Sequence, residues 1–174
     1  MKKILFLAFA AMAVITTVGC SKEKDEDEAY IIPEGYVDLG LSSGTLWKIA
    51  GENNGESPFF TYNQAVKKFG SELPTKKQYE ELTQNCQWTI DDDGNYVATG
   101  KNGNSITIYA NGYLDNGEIK DEKNAYYWTS TMTHQDLPFH FLFQVERYFG
   151  MYGGLYEIEP EMGMQVRLVT KKKK

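Results

Sequence analysis

Two stretches of helical spacing, followed by a long succession of alternating ones, limit the folds open to this chain of 174 residues. Tyr62, Ala65, Val66 and Phe69 fall at i, i+3, i+4 and i+7 behind Thr61 as a cap, and Gly70 ends the run. The second helix carries a firmer mark. Thr75 and Gln78 have capping-box spacing, Pro74 is placed to staple against Tyr79, and Tyr79, Leu82 and Cys86 share a face. From Gln87 onward the period is two. Gln87 to Ile90 and Asn95 to Thr99 flank Asp91-Asp92-Asp93-Gly94, which reads as a hairpin turn; its acids do not follow the alternating pattern of a calcium-binding loop. Ser105 to Ala110 alternates, Tyr126 to Thr131 reads as a strand, and Phe139, Phe141, Phe143 and Val145 form one aromatic face of a half-buried strand. Met162, Met164, Val166 and Leu168 make the last stripe. Ahead of the helices, Tyr36 to Leu39 and Thr45 to Trp47 read as short strands around a glycine-rich turn. Asn111 to Asn124 is expected to be a surface loop, and Arg147 to Gly154 a tight reversal. No tandem repeat is visible. Helices and small antiparallel sheets in one segment predict a single α+β domain.

The chain begins differently. Met1-Lys2-Lys3 is cationic, Ile4 to Ile15 is apolar without a charge, and small residues lead to Gly19-Cys20. Residues 1–19 therefore read as a secretory signal peptide. The apolar stretch is short of the about 20 residues that a permanent helical span needs. Gly19-Cys20 resembles a bacterial lipobox, with Thr17 where leucine is usual. That resemblance implies diacylglycerol on the Cys20 sulfur, palmitate-type acylation, and a membrane held through the lipid anchor at about 0.8 kcal/mol per buried CH₂. The plainer alternatives are an incidental cysteine in a secreted protein or an uncleaved anchor. Ser21 to Glu28 is almost entirely charged and reads as a flexible tether within residues 20–32. An acidic run just after a lipidated cysteine also resembles the export signal that carries Bacteroidota lipoproteins to the outer face of the outer membrane. The expected location is therefore the cell envelope, surface-exposed on the outer membrane.

Residues 33–170 are about one domain's worth of chain, followed by a basic tail at 171–174. With Cys20 acylated, Cys86 is left without a disulfide partner, so the domain must rest on its core. Cys86 itself reads as a small buried apolar residue. The net charge of −6 becomes more negative once Lys2 and Lys3 leave with the signal, and no basic patch interleaves with aromatics. Nucleic acid is excluded as an expected partner.

Several segments together carry a resemblance. Tyr36 to Trp47 (YVDLGLSSGTLW) is similar to the "VDLGLPSGTLWA" opening of a family of bacterial envelope domains. Leu73 to Leu82 (LPTKKQYEEL), Lys101 to Ile106 (KNGNSI), Tyr127 to Ser130 (YWTS) and Val166 to Val169 (VRLV) resemble its later segments in the same order. The family is the Fibrobacter succinogenes major paralogous domain, related to the C-type-lectin-like fold. Ser42 stands where proline is usual, and residues 48–60 lack the family's common pieces. The resemblance implies two helices, small sheets and chain ends brought close together; it implies no activity. The Glu-Pro-Asn and Trp-Asn-Asp motifs of calcium-dependent sugar binders are missing, Glu159-Pro160-Glu161 being only an echo of the first.

No catalytic motif stands out. His134 and His140 are the only histidines, one expected in a loop and one on a sheet surface, with no third ligand at metal spacing. Glu80 and Glu81 are neighbours on a helix and do not face each other. No metal, cofactor or catalytic residue is expected. The leading expectation is a non-catalytic binding module for a glycan or protein ligand, held by the loops at Asn111 to Asn124 and Arg147 to Glu161, with Tyr148, Phe149, Tyr152 and Tyr156 as candidate contacts beside glycines in the second loop. The plainer reading has those rings packing the turn. The alternatives for the whole chain are a structural or assembly component of the envelope, and an enzyme whose carboxylates pair only in space.

Overall fold

The structure is a computed structural model that describes residues 30–146, 150–157 and 159–172. Residues 1–29, with Cys20, the expected signal peptide and most of the expected tether, lie outside the described residues. Among the described residues the fold is α+β, with two α-helices and small antiparallel sheets. Strands β1 (Tyr36–Asp38) and β2 (Thr45–Lys48) pair around the glycine-rich turn. Helix α1 (Tyr62–Phe69) leads through a 3₁₀ turn (Gly70–Glu72) to α2 (Lys76–Asn85). Strands β3 (Gln87–Ile90), β4 (Tyr96–Thr99) and β5 (Ser105–Ile108) form a meander. The short pair β6 (Tyr113–Asp115) and β7 (Glu118–Lys120) follows. The longest strands are β8 (Ala125–Met132), β9 (Pro138–Glu146) and β10 (Gly150–Glu157), with β9 in the middle of their sheet. Strand β11 (Val169–Lys171) returns to pair antiparallel with β2, so the first and last strands of the described residues share one sheet.

The helices start where their caps dictate. At α2 the Thr75 amide donates to Gln78 Oε1 (2.8 Å) and the Gln78 amide to Thr75 Oγ1 (3.3 Å). Thr61 and Gln64 make the same reciprocal pair at α1. Each box satisfies amides that the first turn leaves without helical partners. Tyr62 and Ala65 of α1 are buried as expected, whereas Val66 is 41% exposed and lies beyond the margin of the buried face. Cys86 is the residue after α2; its extended backbone ends the helix, and its half-buried side chain packs against the core.

The core has two parts divided by the β8–β9 sheet. Ala125, Tyr127, Phe141 and Phe143 face one cluster with Leu39, Trp47, Tyr79 and Ile106. Tyr126, Trp128 and Leu142 face the other with Phe60, Ala65, Met164 and Val166. This corrects the expectation of a half-buried β9 with a solvent face. Because β9 is the central strand and both of its faces are covered, His140 is 3% exposed and stacks on Tyr126 at 5.8 Å, rather than lying on a sheet surface. His134 is exposed in the turn between β8 and β9.

Two loop expectations are also corrected. Asn111 to Asn124 contains the β6–β7 hairpin, turned by Asn116 and Gly117 at positive φ. Its strands of three residues are too short to show an alternating pattern. Most of the expected reversal at Arg147 to Gly154 is strand: Gly150 to Gly154 open β10, which pairs with β9 along Gly150 to Glu157. Its glycines weaken strand propensity, but long pairing against a buried neighbour overrides that local signal.

Side-chain hydrogen bonds join segments distant in sequence. Asn102 and Asn104 both donate to the Asp38 carbonyl at 2.8 Å, and the Glu81 carboxylate accepts from the Ser42 hydroxyl and the Ser43 amide at 2.9 Å. The Ser130 amide donates to the Pro74 carbonyl at 2.8 Å, and the Lys76 amide to Thr131 Oγ1 at 2.9 Å. At the two ends of the described residues, Lys172 pairs with the buried Asp38 carboxylate at 2.7 Å, Tyr30 donates its hydroxyl to the same carboxylate, and the Lys172 ammonium lies 4.0 Å from the Tyr30 ring centre.

Candidate ligand-binding cleft

The residues expected to touch a ligand are only partly placed. Tyr148 and Phe149 lie outside the described residues. Tyr152 and Tyr156 sit within β10, opposite Gln144 and His140 in the β9 register. They belong to a regular strand rather than a glycine-rich loop.

A cleft of about 310 Å³ opens elsewhere, where three connecting segments meet. The loop after β2 contributes Glu52 and Asn53, the end of β5 leads to Tyr109 and Asn111, and the segment before β11 supplies Gln165 and Val166. Pro58 completes the wall. A neighbouring hollow of about 360 Å³ shares Pro58 and Asn111 and adds Phe59, Ile119 and Glu122. The β6–β7 hairpin borders it through Ile119. Gly112 is needed for this hairpin's docking, since a Cβ there would stand 2.0 Å from the Lys120 carbonyl oxygen and φ is +69°.

The cleft is built on fixed polar groups. Gln165 is 3% exposed; its amide donates to the Tyr109 carbonyl at 2.9 Å, and its Oε1 accepts from Asn111 Nδ2 at 3.0 Å and from the Tyr127 hydroxyl at 3.3 Å. The Tyr127 hydroxyl also accepts from the Tyr109 amide at 3.0 Å. Burial raises the pKa of Tyr127 while the neighbouring Arg167 lowers it, and the balance leaves the phenol above its ordinary value and protonated. Tyr109 is thus held through its backbone while its ring remains 38% exposed. The Arg167 guanidinium lies 5.8 Å from the centre of that ring and 6.0 Å from that of Tyr127. Glu52 is fixed by its ion pair with Lys48 and by its own amide, which donates to the Val166 carbonyl at 3.1 Å.

Arg167 itself is fully buried. It donates to the carbonyls of Lys48 (2.9 Å), Ile49 and Thr107, and no carboxylate pairs with it among the described residues. Backbone dipoles from two strands therefore hold its charge. Sequence reasoning read the final stripe through its apolar members and left Gln165 and Arg167 between them without a role. The available signal was their position: polar side chains interleaved in a strand-like run that ends the core. Asn111 opens one of the two loops expected to contact a ligand, whereas Tyr109, Glu52 and Asn53 carried no pattern of their own, because separate segments bring them together.

Among the described residues no cluster of His, Cys, Asp and Glu has the geometry to hold a metal ion, and no helix is long and apolar enough to cross a membrane. Comparison of the chain with family models, with curated proteins and with solved structures finds no match.

Proposed function

We propose that this chain is a lipoprotein of the bacterial outer membrane that presents a non-catalytic, C-type-lectin-like binding domain at the cell surface, for a glycan or protein ligand. The observation that carries the reading is the pairing of β11 with β2, which puts the first and last strands of the described residues in one sheet, with two capped helices and small sheets between them. That is the arrangement the sequence resemblance implies. The resembling segments also touch one another: Asn102 and Asn104 on Asp38, Glu81 on Ser42 and Ser43, and Val169 paired with Trp47. They act as stitches of a scaffold, so the resemblance speaks for fold and leaves chemistry to the connecting loops. A non-catalytic role is supported by the cleft, whose single lining carboxylate, Glu52, is tied to Lys48.

Metabolic labelling with a palmitate analogue tests the anchoring, followed by protease treatment of intact cells. Wild type is expected to be labelled and shaved from the surface, and Cys20→Ala to be unlabelled. Equal labelling of both forms, or full protection of the labelled protein in intact cells, overturns the reading.

A further inference from the structure

We propose that the cleft between Glu52, Asn53, Tyr109 and Asn111 is a binding site for a neutral carbohydrate, recognised by direct hydrogen bonds and by stacking on the Tyr109 ring. The inference deepens the binding-module reading and rests on it.

The argument starts from what the fold leaves unused. Asn111 spends its Nδ2 on Gln165, which leaves its Oδ1 as an acceptor. Lys48 takes Oε1 of Glu52, which leaves Oε2. Asn53 gives its backbone carbonyl to Lys68 at 3.1 Å, and its side-chain amide has no partner among the described residues. The Tyr109 ring is a large, partly exposed surface beside these groups. Planar amides and a carboxylate around an aromatic face suit a polyol: vicinal hydroxyls donate and accept at once, and the apolar C–H face of the ring lies on the aromatic.

Charge selects among ligands. No lysine or arginine lines this cleft, while Glu52 does, so phosphates and uronic acids meet no counter-charge. One carboxylate is too few to hold a bridging calcium ion, which takes six to eight oxygen ligands, so the hydroxyls must be bound directly. The volume of about 310 Å³ lies at the lower end of small-molecule sites, about 300–1,000 Å³. The adjoining hollow across Asn111 and Pro58 gives a second ring of the same chain somewhere to lie. A larger hollow of about 490 Å³ beside Ile90 and Tyr96 is a weaker candidate, because the Tyr96 hydroxyl there is already committed to the Lys123 carbonyl at 2.8 Å.

The test titrates the full-length protein in detergent with maltohexaose, mannohexaose, xylohexaose and chitohexaose, with oligogalacturonate as the anionic comparison. Binding is read by intrinsic fluorescence and saturation-transfer NMR. At least one neutral oligosaccharide is expected to bind saturably. Tyr109→Ala and Asn53→Ala should each weaken it at least about tenfold, or about 1.4 kcal/mol. Tyr109→Phe should stay within about threefold, and Asn53→Ala and Tyr109→Phe should keep the wild-type melting temperature. Saturable binding by none of the four neutral chains overturns the proposal, as does preference for the galacturonate or indifference to both alanine variants. Binding lost only in Tyr152→Ala and Tyr156→Ala removes the sugar from this cleft but keeps the binding-module reading. Release of shortened oligosaccharides that depends on Tyr109 keeps the cleft and ends the non-catalytic reading.

Discussion

Arg167 is a buried cation whose partners are carbonyl oxygens of β5 and of the chain at the end of β2. Its planar fork reaches Lys48, Ile49 and Thr107 together, which a lysine cannot do from one ammonium. Arg167→Lys is expected to cost about 2–4 kcal/mol, since buried carbonyls lose charge-assisted bonds and at least one is left unpaired. The urea midpoint should fall with the slope unchanged. Cys86 gives a prediction of the opposite kind. Burial first, and then the charge of Glu81, push its thiol up to about 11. Few of these thiols are then ionised at pH 8, so alkylation by iodoacetamide should run at least about tenfold slower than for a free thiol of ordinary acidity, the greater nucleophilicity of a weakly acidic thiolate offsetting part of the loss. Rapid modification of the native protein at pH 8 would contradict the burial of this residue. Cys86 as a small residue packed against the core was legible because its spacing follows Tyr79 and Leu82, although it is half-buried and lies just past the end of α2. Arg167 was not, because a charged residue in an alternating run is normally assigned to solvent.

At the scale of elements, the sequence was most legible where local chemistry decides structure. Thr75 and Gln78 announce α2, and the capping hydrogen bonds are where the spacing puts them. It was least legible where pairing decides, as in β10, whose glycines suggested a turn. The Gly100 turn between β4 and β5 lies between these cases. A Cβ on Gly100 would stand 1.9 Å from the Leu39 carbonyl oxygen, because this turn is drawn against the end of β1 by Asn102 and Asn104. Backbone cannot yield there as a side-chain tip would. Gly100→Ala is therefore expected to destabilise by about 3 kcal/mol or more, at or above the usual range for overpacking, whereas Gly94→Ala in the neighbouring hairpin meets no atom within 4 Å and bears only the strain of its φ of +85°. Melting temperatures of the two variants check the order. Apart from Asn111, which opens a loop expected to contact a ligand, the cleft escaped the sequence for a related reason: its residues come from three connections that only the packed elements bring together.

For the whole molecule, the decisive contact is the one that joins beginning to end. Burial opposes ionisation of Asp38, but hydrogen bonds from Lys172, Tyr30 and the Gly40 amide outweigh it and hold the carboxyl below its usual value. Hydrogen bonding to Asp38 correspondingly raises Lys172. The carboxylate's share of stability is complete above an unfolded value of about 3.9 and is lost as pH falls through the lower folded one. The lysine's share is complete below about 10.4 and is lost as pH rises through the higher folded value. Asp38→Asn should thus cost about 1–3 kcal/mol, constant between about pH 5 and 9 and shrinking beyond both ends of that window. Denaturation curves across pH measure it. A penalty that instead varied steeply near pH 7 would point to another titrating group.

The same clasp has a mechanical meaning. Tension drawn along the chain into Tyr30 reaches Asp38 and passes at once to Lys172, then through β11 into β2. The load is shared by the three short antiparallel strands β1, β2 and β11 before it reaches the loops that line the cleft. A molecule tugged at one end and gripped at that hollow would yield first at this seam, leaving the grip itself undistorted.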